Sequence, residues 1–362
     1  MLTAITCSMM RGGTSKGPLF LTSDFPQEPE RRDQLLLTVM GSPDIRQIDG
    51  IGGADSLTSQ ALIVGRSTRP GIDVEYFFAQ VSVAENSVHT TPACGNMLAA
   101  VAPFAIERGL VKVSDPATSV SIFNVNTGKV VEAIVQTPGG KVTYEGNVRI
   151  DGVPGTGAPI ELDFLEAAGA NTGKLLPTGN ATDIIDGVPV SCVDFSTPMV
   201  LLAASSVGKT GYETKQELDL DGALLERLEI LRLKAARLMG MGDVSGKVLP
   251  KLALLAPPRQ GGTITSRYFV PWNCHAAHSV TGAVCIAAAC SIPGSIAAAL
   301  AEREPGQEEV VTIEHTAGRI ATHVQAENRT NGALPTIKSV SVVLTARPLF
   351  SGVAYVRSSS FS

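Results

Sequence analysis

Cys94, followed by Gly95 and Asn96, stands where an apolar run begins: Met97-Leu98-Ala99-Ala100-Val101-Ala102-Pro103-Phe104-Ala105-Ile106. A cysteine at a helix N-terminus meets unpaired backbone N–H groups and the positive end of the macrodipole, which favour its thiolate and suit it to take or give a proton. The same residue also fits a small side chain packed beneath a loop, since free cysteine is among the most buried residue types. Arg11-Gly12-Gly13-Thr14-Ser15-Lys16-Gly17 gathers two cations and two hydroxyls among glycines. That set suits a carboxylate or a phosphate, and equally a turn with a solvated lysine. It is not a P-loop, and the nearer mimic Gly208-Lys209-Thr210 fails because Ala203 stands where the first glycine is required. The loop from Asp49 to Ser59, with Gly53 and Ser59 in it, can present N–H and O–H groups to an anion or serve as a tight connection. It ends at Gln60, just ahead of the strand-like Ala61-Leu62-Ile63-Val64.

Cys274, His275 and His278, with Cys285 and Cys290 beyond them, match no standard zinc spacing, and no metal is expected. His275 serves to position a site or to satisfy a buried hydrogen bond. Arg267 is the best further cation for a multiply charged acid, with a surface salt bridge as the alternative. Thr281-Gly282 opens a second apolar run, Ala283-Val284-Cys285-Ile286-Ala287-Ala288-Ala289-Cys290. Neither apolar run has a polar face, so each predicts a helix buried all round. Gly95 and Gly282 are 187 positions apart (282 − 95) in a chain of 362, which suggests two similar halves, each wrapped around one central helix.

The elements that must position these residues mix strands and helices without regular alternation, an α+β pattern. β-branched and aromatic residues mark strands at 73–83, 120–125, 130–135, 199–203 and 311–313. An amphipathic helix is expected over about 223–239, with Leu224, Leu228, Leu231 and Leu238 on one stripe, and another over about 31–40. Crossovers between halves are expected at the Gly- and Pro-rich 151–159 or at Pro177-Thr178-Gly179-Asn180, and the boundary is placed near 180. A composition that is 44 % hydrophobic and 17 % charged is globular, and a net charge of −5 without a dense basic run argues against a nucleic-acid partner. No run is long enough to span a membrane, and Arg11 comes too early for a secretory signal. Six scattered cysteines fit a reducing compartment, so a cytoplasmic protein is expected.

Met10-Arg11-Gly12-Gly13-Thr14-Ser15-Lys16-Gly17, Gly41-Ser42-Pro43-Asp44, Gln47-Ile48-Asp49-Gly50-Ile51-Gly52-Gly53 and Cys94-Gly95-Asn96 together resemble the PrpF family of isomerases, within the diaminopimelate epimerase superfamily. Pro103-Phe104-Ala105, Glu107-Arg108-Gly109-Leu110 and Leu176-Pro177-Thr178-Gly179-Asn180 extend the likeness over nearly the whole chain. The resemblance implies a diaminopimelate epimerase-like α+β fold of two similar domains, each a sheet or barrel around a central buried helix, with the active site in the cleft between them. Residues 1–180 would carry Cys94, with the last strand near 340–357 returning to that half, and residues 181–340 would carry Thr281-Gly282.

The implied activity is a cofactor-independent isomerase or tautomerase that shifts an allylic or α proton in a small unsaturated di- or tricarboxylate, of the 4-oxalomesaconate or aconitate kind. Cys94, Lys16 and Gln60 become the catalytic candidates. Arg11, Ser15, Gly53, Ser59, Gly95, Asn96, Arg267, Thr281 and Gly282 become the substrate-binding ones. The implied partner is the polycarboxylate itself, and a homodimer stays open. In the family pattern the loop that ends here in Gln60 ends in lysine. A carboxamide is no base at neutral pH, so either Cys94 makes both transfers, or Lys16 substitutes, or the chain binds such an acid without turning it over. An amino-acid racemase would need paired cysteines, and the second helix opens without one.

Overall fold

A computed structural model describes residues 2–90, 94–165, 167–270, 272–303, 309–327 and 334–357. The chain divides into two units, one of Met1–Arg149, Gly155–Leu162 and Leu344–Ser362, the other of Ile150–Pro154 and Asp163–Val343. The passage from one to the other therefore falls at 150–163, where the Gly/Pro-rich stretch lies, ahead of the boundary near 180.

In the first unit, residues of each strand alternate between two faces, the period that makes a strand, and in the sixth and seventh strands one face is buried and the other partly exposed. Its strands are β1 (Leu2–Gly12), β2 (Ser15–Leu21), β3 (Gln60–Arg66), β4 (Val74–Val81), β5 (Val88–His89), β6 (Ala117–Asn124) and β7 (Lys129–Gln136). β1 is antiparallel to β2, β2 parallel to β3, β3 antiparallel to β4, β4 parallel to β6 and β6 antiparallel to β7. The final strand, Ala346–Arg357, pairs antiparallel with β1 along its whole length. Helix α1 (Pro29–Met40) starts at a proline, which needs no N–H partner there, and ends at Gly41 in the left-handed region. Leu35, Leu36, Val39 and Met40 of α1 pack on Ile5, Cys7, Phe20, Ala61, Ile63, Ala79 and Val81. The residues of opposite parity face the other way, toward the central helix.

That central helix comes in two pieces, α2 (Gly95–Leu98) and α3 (Val101–Glu107), where the sequence read as one. Pro103 is the physical reason: it has no N–H to give to the carbonyl four residues back, so the backbone bonds tighten at Ala99 and Ala100 before the helix resumes. All of 95–106 is buried.

The second unit repeats this order. After β8 (Ile160–Leu165), at the passage between units, come β9 (Asp183–Ile185), β10 (Val188–Phe195), β11 (Thr197–Ala203), β12 (Lys251–Ala256), β13 (Ile264–Phe269), β14 (Val310–His315), β15 (Gly318–Glu327) and β16 (Thr336–Leu344). From β10 to β15 the pairings run antiparallel, parallel, antiparallel, parallel, antiparallel, the succession of β1 to β7 without the short β5. Helices α4 (Lys215–Asp219) and α5 (Gly222–Leu238) take the place of α1, α6 (Val280–Cys290) the place of the central helix, and α7 (Ile296–Leu300) follows it. Every residue of α6 is buried. The stripe of α5 is Leu224, Leu228, Leu231 and Ala235, continued by Met239 at the C-cap and spaced by three or four residues; Leu238 is 53 % exposed instead. The final strand is β17 in chain order.

Gly17 on β2 is pressed against the start of β3, and a Cβ there would collide with the carbonyl oxygen of Gln60. Backbone cannot yield as a flexible side chain can. Gly17→Ala is therefore expected to lower unfolding stability by about 3 kcal/mol, read from the denaturant midpoint at constant slope.

Candidate functional site

Cys94 immediately precedes α2 in extended conformation, which turns its side chain back over the first helical turn. Two glycines bring the β1–β2 hairpin against that turn. A Cβ on Gly12 would lie 2.5 Å from the carbonyl oxygen of Asn96 and 2.9 Å from Met97 Cα, and Gly13, at φ +51°, would drive one into the Asn96 side chain. With the approach made, the backbone N–H of Thr14 donates to Asn96 Oδ1 at 3.0 Å, and the next residue, Ser15, meets the thiol: Cys94 donates to Ser15 Oγ over 3.9 Å. Burial pushes the Cys94 thiol up. The nearby Met97 N–H, Ser15 hydroxyl, Asn96 N–H and Gln60 carboxamide act against that. The group at rest at neutral pH is the thiol, hydrogen-bonded for conversion to thiolate.

Gln60 opens β3 on the same face as Ser15 and is 4 % exposed. Its Nε2 donates to Gln80 Oε1 on β4 at 3.1 Å, and Gln80 Nε2 donates in turn to the carbonyls of Ser56 at 2.9 Å and Ser59 at 3.0 Å. Gln60 Oε1 is buried without a hydrogen-bond partner. Two positions before Gln80 along the same face of β4, beyond Phe78, lies Tyr76, whose hydroxyl accepts from Asn124 Nδ2 at 2.8 Å. Burial, and then the field of the Cys94 thiolate, raise the Tyr76 phenol, so it stays neutral. Tyr76, Gln80 and Asn124 went unnoticed in the sequence. The available signal was polar residues at the inward parity of strands otherwise apolar on that side.

Of the other expected site residues in this unit, Arg11 and Ser59 are engaged by hydrogen bonds within the protein. Lys16 occupies the face of β2 opposite Ser15, in register with Arg11. The Arg11 guanidinium donates from Nη1 to Gly13 O at 2.9 Å and Thr345 O at 2.9 Å, and from Nη2 to Thr345 Oγ1 at 3.0 Å. Burial and then Arg347 lower its pKa. Ser59 is fully buried, with its hydroxyl taken by Gln47 Nε2 at 2.7 Å. Gln47 also donates to Ser42 Oγ and accepts from the Ala54 N–H, so this one side chain ties up the loop from 42 to 59. Gly53 is exposed on that loop, and Gly95 and Asn96 are buried in α2.

In the second unit, Ser279 caps α6 by accepting from the Gly282 N–H at 3.4 Å and lies 3.1 Å from Thr281 Oγ1. A Cβ at Gly282 would strike the Tyr268 ring. His278 sits between Ser279 O at 2.8 Å and Ser266 Oγ at 3.0 Å. His275 Nδ1 accepts from the Ala277 N–H, the buried hydrogen bond that was one of its two readings, and burial holds its pKa down at about 3. Arg267 is buried, with Nε donating to Glu213 O at 2.6 Å. Cys285 and Cys290 are buried within α6, and the described residues hold no cluster of metal-ligating side chains.

The geometry can be set beside known proteins. A solved methylitaconate-delta-isomerase superposes with a TM-score of 0.81 at 37 % identity, over 100 % of this chain and 97 % of that one. A hydroxyproline epimerase from Agrobacterium vitis superposes with a TM-score of 0.59 at 11 % identity, over 98 % and 92 %. The chain thus has the diaminopimelate epimerase-like fold. The family profile described as PrpF protein matches residues 2–357, and a 4-oxalomesaconate tautomerase from Pseudomonas putida is 49 % identical over 354 residues, 98 % of this chain and 96 % of that one. The chain belongs to the PrpF family and, with it, to the isomerases.

Arg11 braces the hairpin that meets Cys94. Arg11→Ala is expected to lower unfolding stability by about 2 kcal/mol, since three hydrogen bonds from a charged donor disappear, while Lys16→Ala stays within about 0.5 kcal/mol. Parallel denaturant titrations check the difference.

Proposed function

We propose that this protein is a cofactor-independent isomerase that moves an allylic or α proton in a small unsaturated di- or tricarboxylate, with Cys94 as the acid–base group. The observation that carries the reading is the thiol itself: Cys94 alone among six free cysteines is not buried, it stands at the N-terminus of α2, and its sulfur lies 3.9 Å from Ser15 Oγ. Membership in the PrpF family and the names of its relatives support the substrate class. Arg267, Thr281, Gly282, Gly95 and Asn96 are proposed as substrate contacts on the family resemblance. Six free cysteines fit a reducing cytoplasm, and no helix among the described residues is long and apolar enough to cross a membrane.

The reaction needs one base. The Cys94 thiolate takes the proton from the carbon next to the double bond; the electron pair moves into the conjugated system and rests on a carbonyl or carboxylate oxygen. The thiol so formed returns that proton to the far carbon on the same face, or to the oxygen if the product is an enol. Gln60 assists by hydrogen-bonding sulfur and takes no proton. A second reading is a binder that holds the acid without turnover, and the glutamine where the family pattern has lysine favours it.

Proton NMR in D2O with 4-oxalomesaconate, cis- and trans-aconitate, methylaconitate and itaconate separates the two. Deuterium should enter one allylic or α position, and binding without exchange across the whole panel would establish the binder. Cys94→Ala is expected to slow exchange about a thousandfold with an unchanged thermal midpoint. Because burial raises the thiol, only a small fraction is thiolate at neutral pH, and that fraction grows as pH climbs toward the thiol pKa. The kcat/KM is therefore expected to rise about tenfold per unit between pH 6 and 8, and a flat profile would move the base elsewhere.

A further inference from the structure

Gln80 has no freedom to turn. Its Nε2 gives both protons to backbone carbonyls, those of Ser56 and Ser59, so its Oε1 is the atom left to face Gln60. That oxygen accepts from Gln60 Nε2 and fixes the second carboxamide as well, nitrogen toward Gln80 and Oε1 buried without a partner. Gln60 Nε2 has two protons and Gln80 takes one. Gln60 packs on Gly17, which lies two residues along the same face of β2 from Ser15, whose Oγ is 3.9 Å from Cys94 Sγ, so the carboxamide belongs to the surroundings of the thiol and acts to lower its pKa. Few buried acceptors in a folded protein go unpaired, and one beside a reactive thiol calls for a ligand that pairs it.

We propose that Gln80 is a positioning residue that holds Gln60 with its Nε2 toward Cys94 and its Oε1 set to accept a hydrogen bond from a hydroxyl or protonated carboxyl of the bound acid. The second half of this rests on the polycarboxylate reading above; the first half does not. In this arrangement the amide stabilises the thiolate without competing for its proton, which leaves Cys94 as the one group that titrates during the transfer.

Alkylation of the full chain by iodoacetamide, followed by intact mass as a function of pH, reads Cys94 with no substrate present, because the other five cysteines are buried. Gln60→Leu is expected to raise the pH of half-maximal alkylation by about one unit, a tenfold loss of thiolate at a given pH. Gln80→Leu should give most of the same shift, and the double variant should add nothing to Gln60→Leu, as for two residues acting in one chain of hydrogen bonds. A Gln80→Leu profile that superposes on wild type, or a shift that adds in full, overturns the positioning role. The oxygen is read by calorimetric titration of wild type with citrate and with propane-1,2,3-tricarboxylate, which differ by one hydroxyl. Citrate is expected to bind about tenfold more tightly, and Gln60→Leu to bind the two within about twofold. Equal affinities in wild type overturn the acceptor role, whether or not Gln80→Leu folds. If neither acid binds, the polycarboxylate reading fails while the alkylation profiles still decide the role of Gln80.

Discussion

The β1–β2 hairpin closes on the backbone of Asn96 and Met97 across a gap with no room for a Cβ at position 12 or 13, and the surroundings of Cys94 follow from that contact. Because Thr14 bonds to Asn96, the adjacent Ser15 falls beside sulfur. Because Gly17 lies flat on Gln60, β3 starts close against the same face of β2 that carries Ser15, and the carboxamide acts to lower the thiol's pKa. Arg11 and the Gly13 N–H tie the turn to Thr345, just ahead of β17, so the strand from the far end of the chain holds the hairpin in place. The glycine-rich signature is here a packing device, and the chemistry depends on it at one remove.

An amide at position 60 alters the thiol's balance in a definite direction. A neighbouring ammonium would favour thiolate by charge, whereas an amide can only hydrogen-bond to it, and burial opposes both. The resulting thiol is less often ionised and correspondingly more basic when it is, a trade that Brønsted behaviour makes tolerable near neutral pH. The arrangement also costs stability, since an unpaired buried carbonyl oxygen forfeits about 1–3 kcal/mol. Gln60 Oε1 bears that cost in the free protein.

Two runs apolar all round were enough to suggest twin halves, because a helix without a polar face can exist only where a sheet closes around it. The strand order of β10 to β15 repeats that of β1 to β7. The break between α2 and α3 was also written in the chain, at Pro103, and lost beneath the apolar run. Roles within the site were less legible. Arg11 and Ser59 have the residue types of a carboxylate site, and only the fold reveals that Thr345 and Gln47 already occupy them. Gln80 and Tyr76 are 14 and 18 positions short of Cys94 in sequence, and a strand pairing, which no local pattern encodes, brings them to its side of the sheet.

The two halves share an architecture and differ at the start of their central helices. In the first, the residue before the helix is a thiol. In the second it is Ser279, whose hydroxyl satisfies the Gly282 N–H, set beside His278 and the Tyr268 ring that covers Gly282. Burial keeps His275 near a pKa of 3 and His315 near 4, and lowers His278 well below its ordinary range. All three are therefore neutral by pH 6. None of them changes charge between pH 6 and 8, whereas the thiolate fraction of Cys94 grows across that interval.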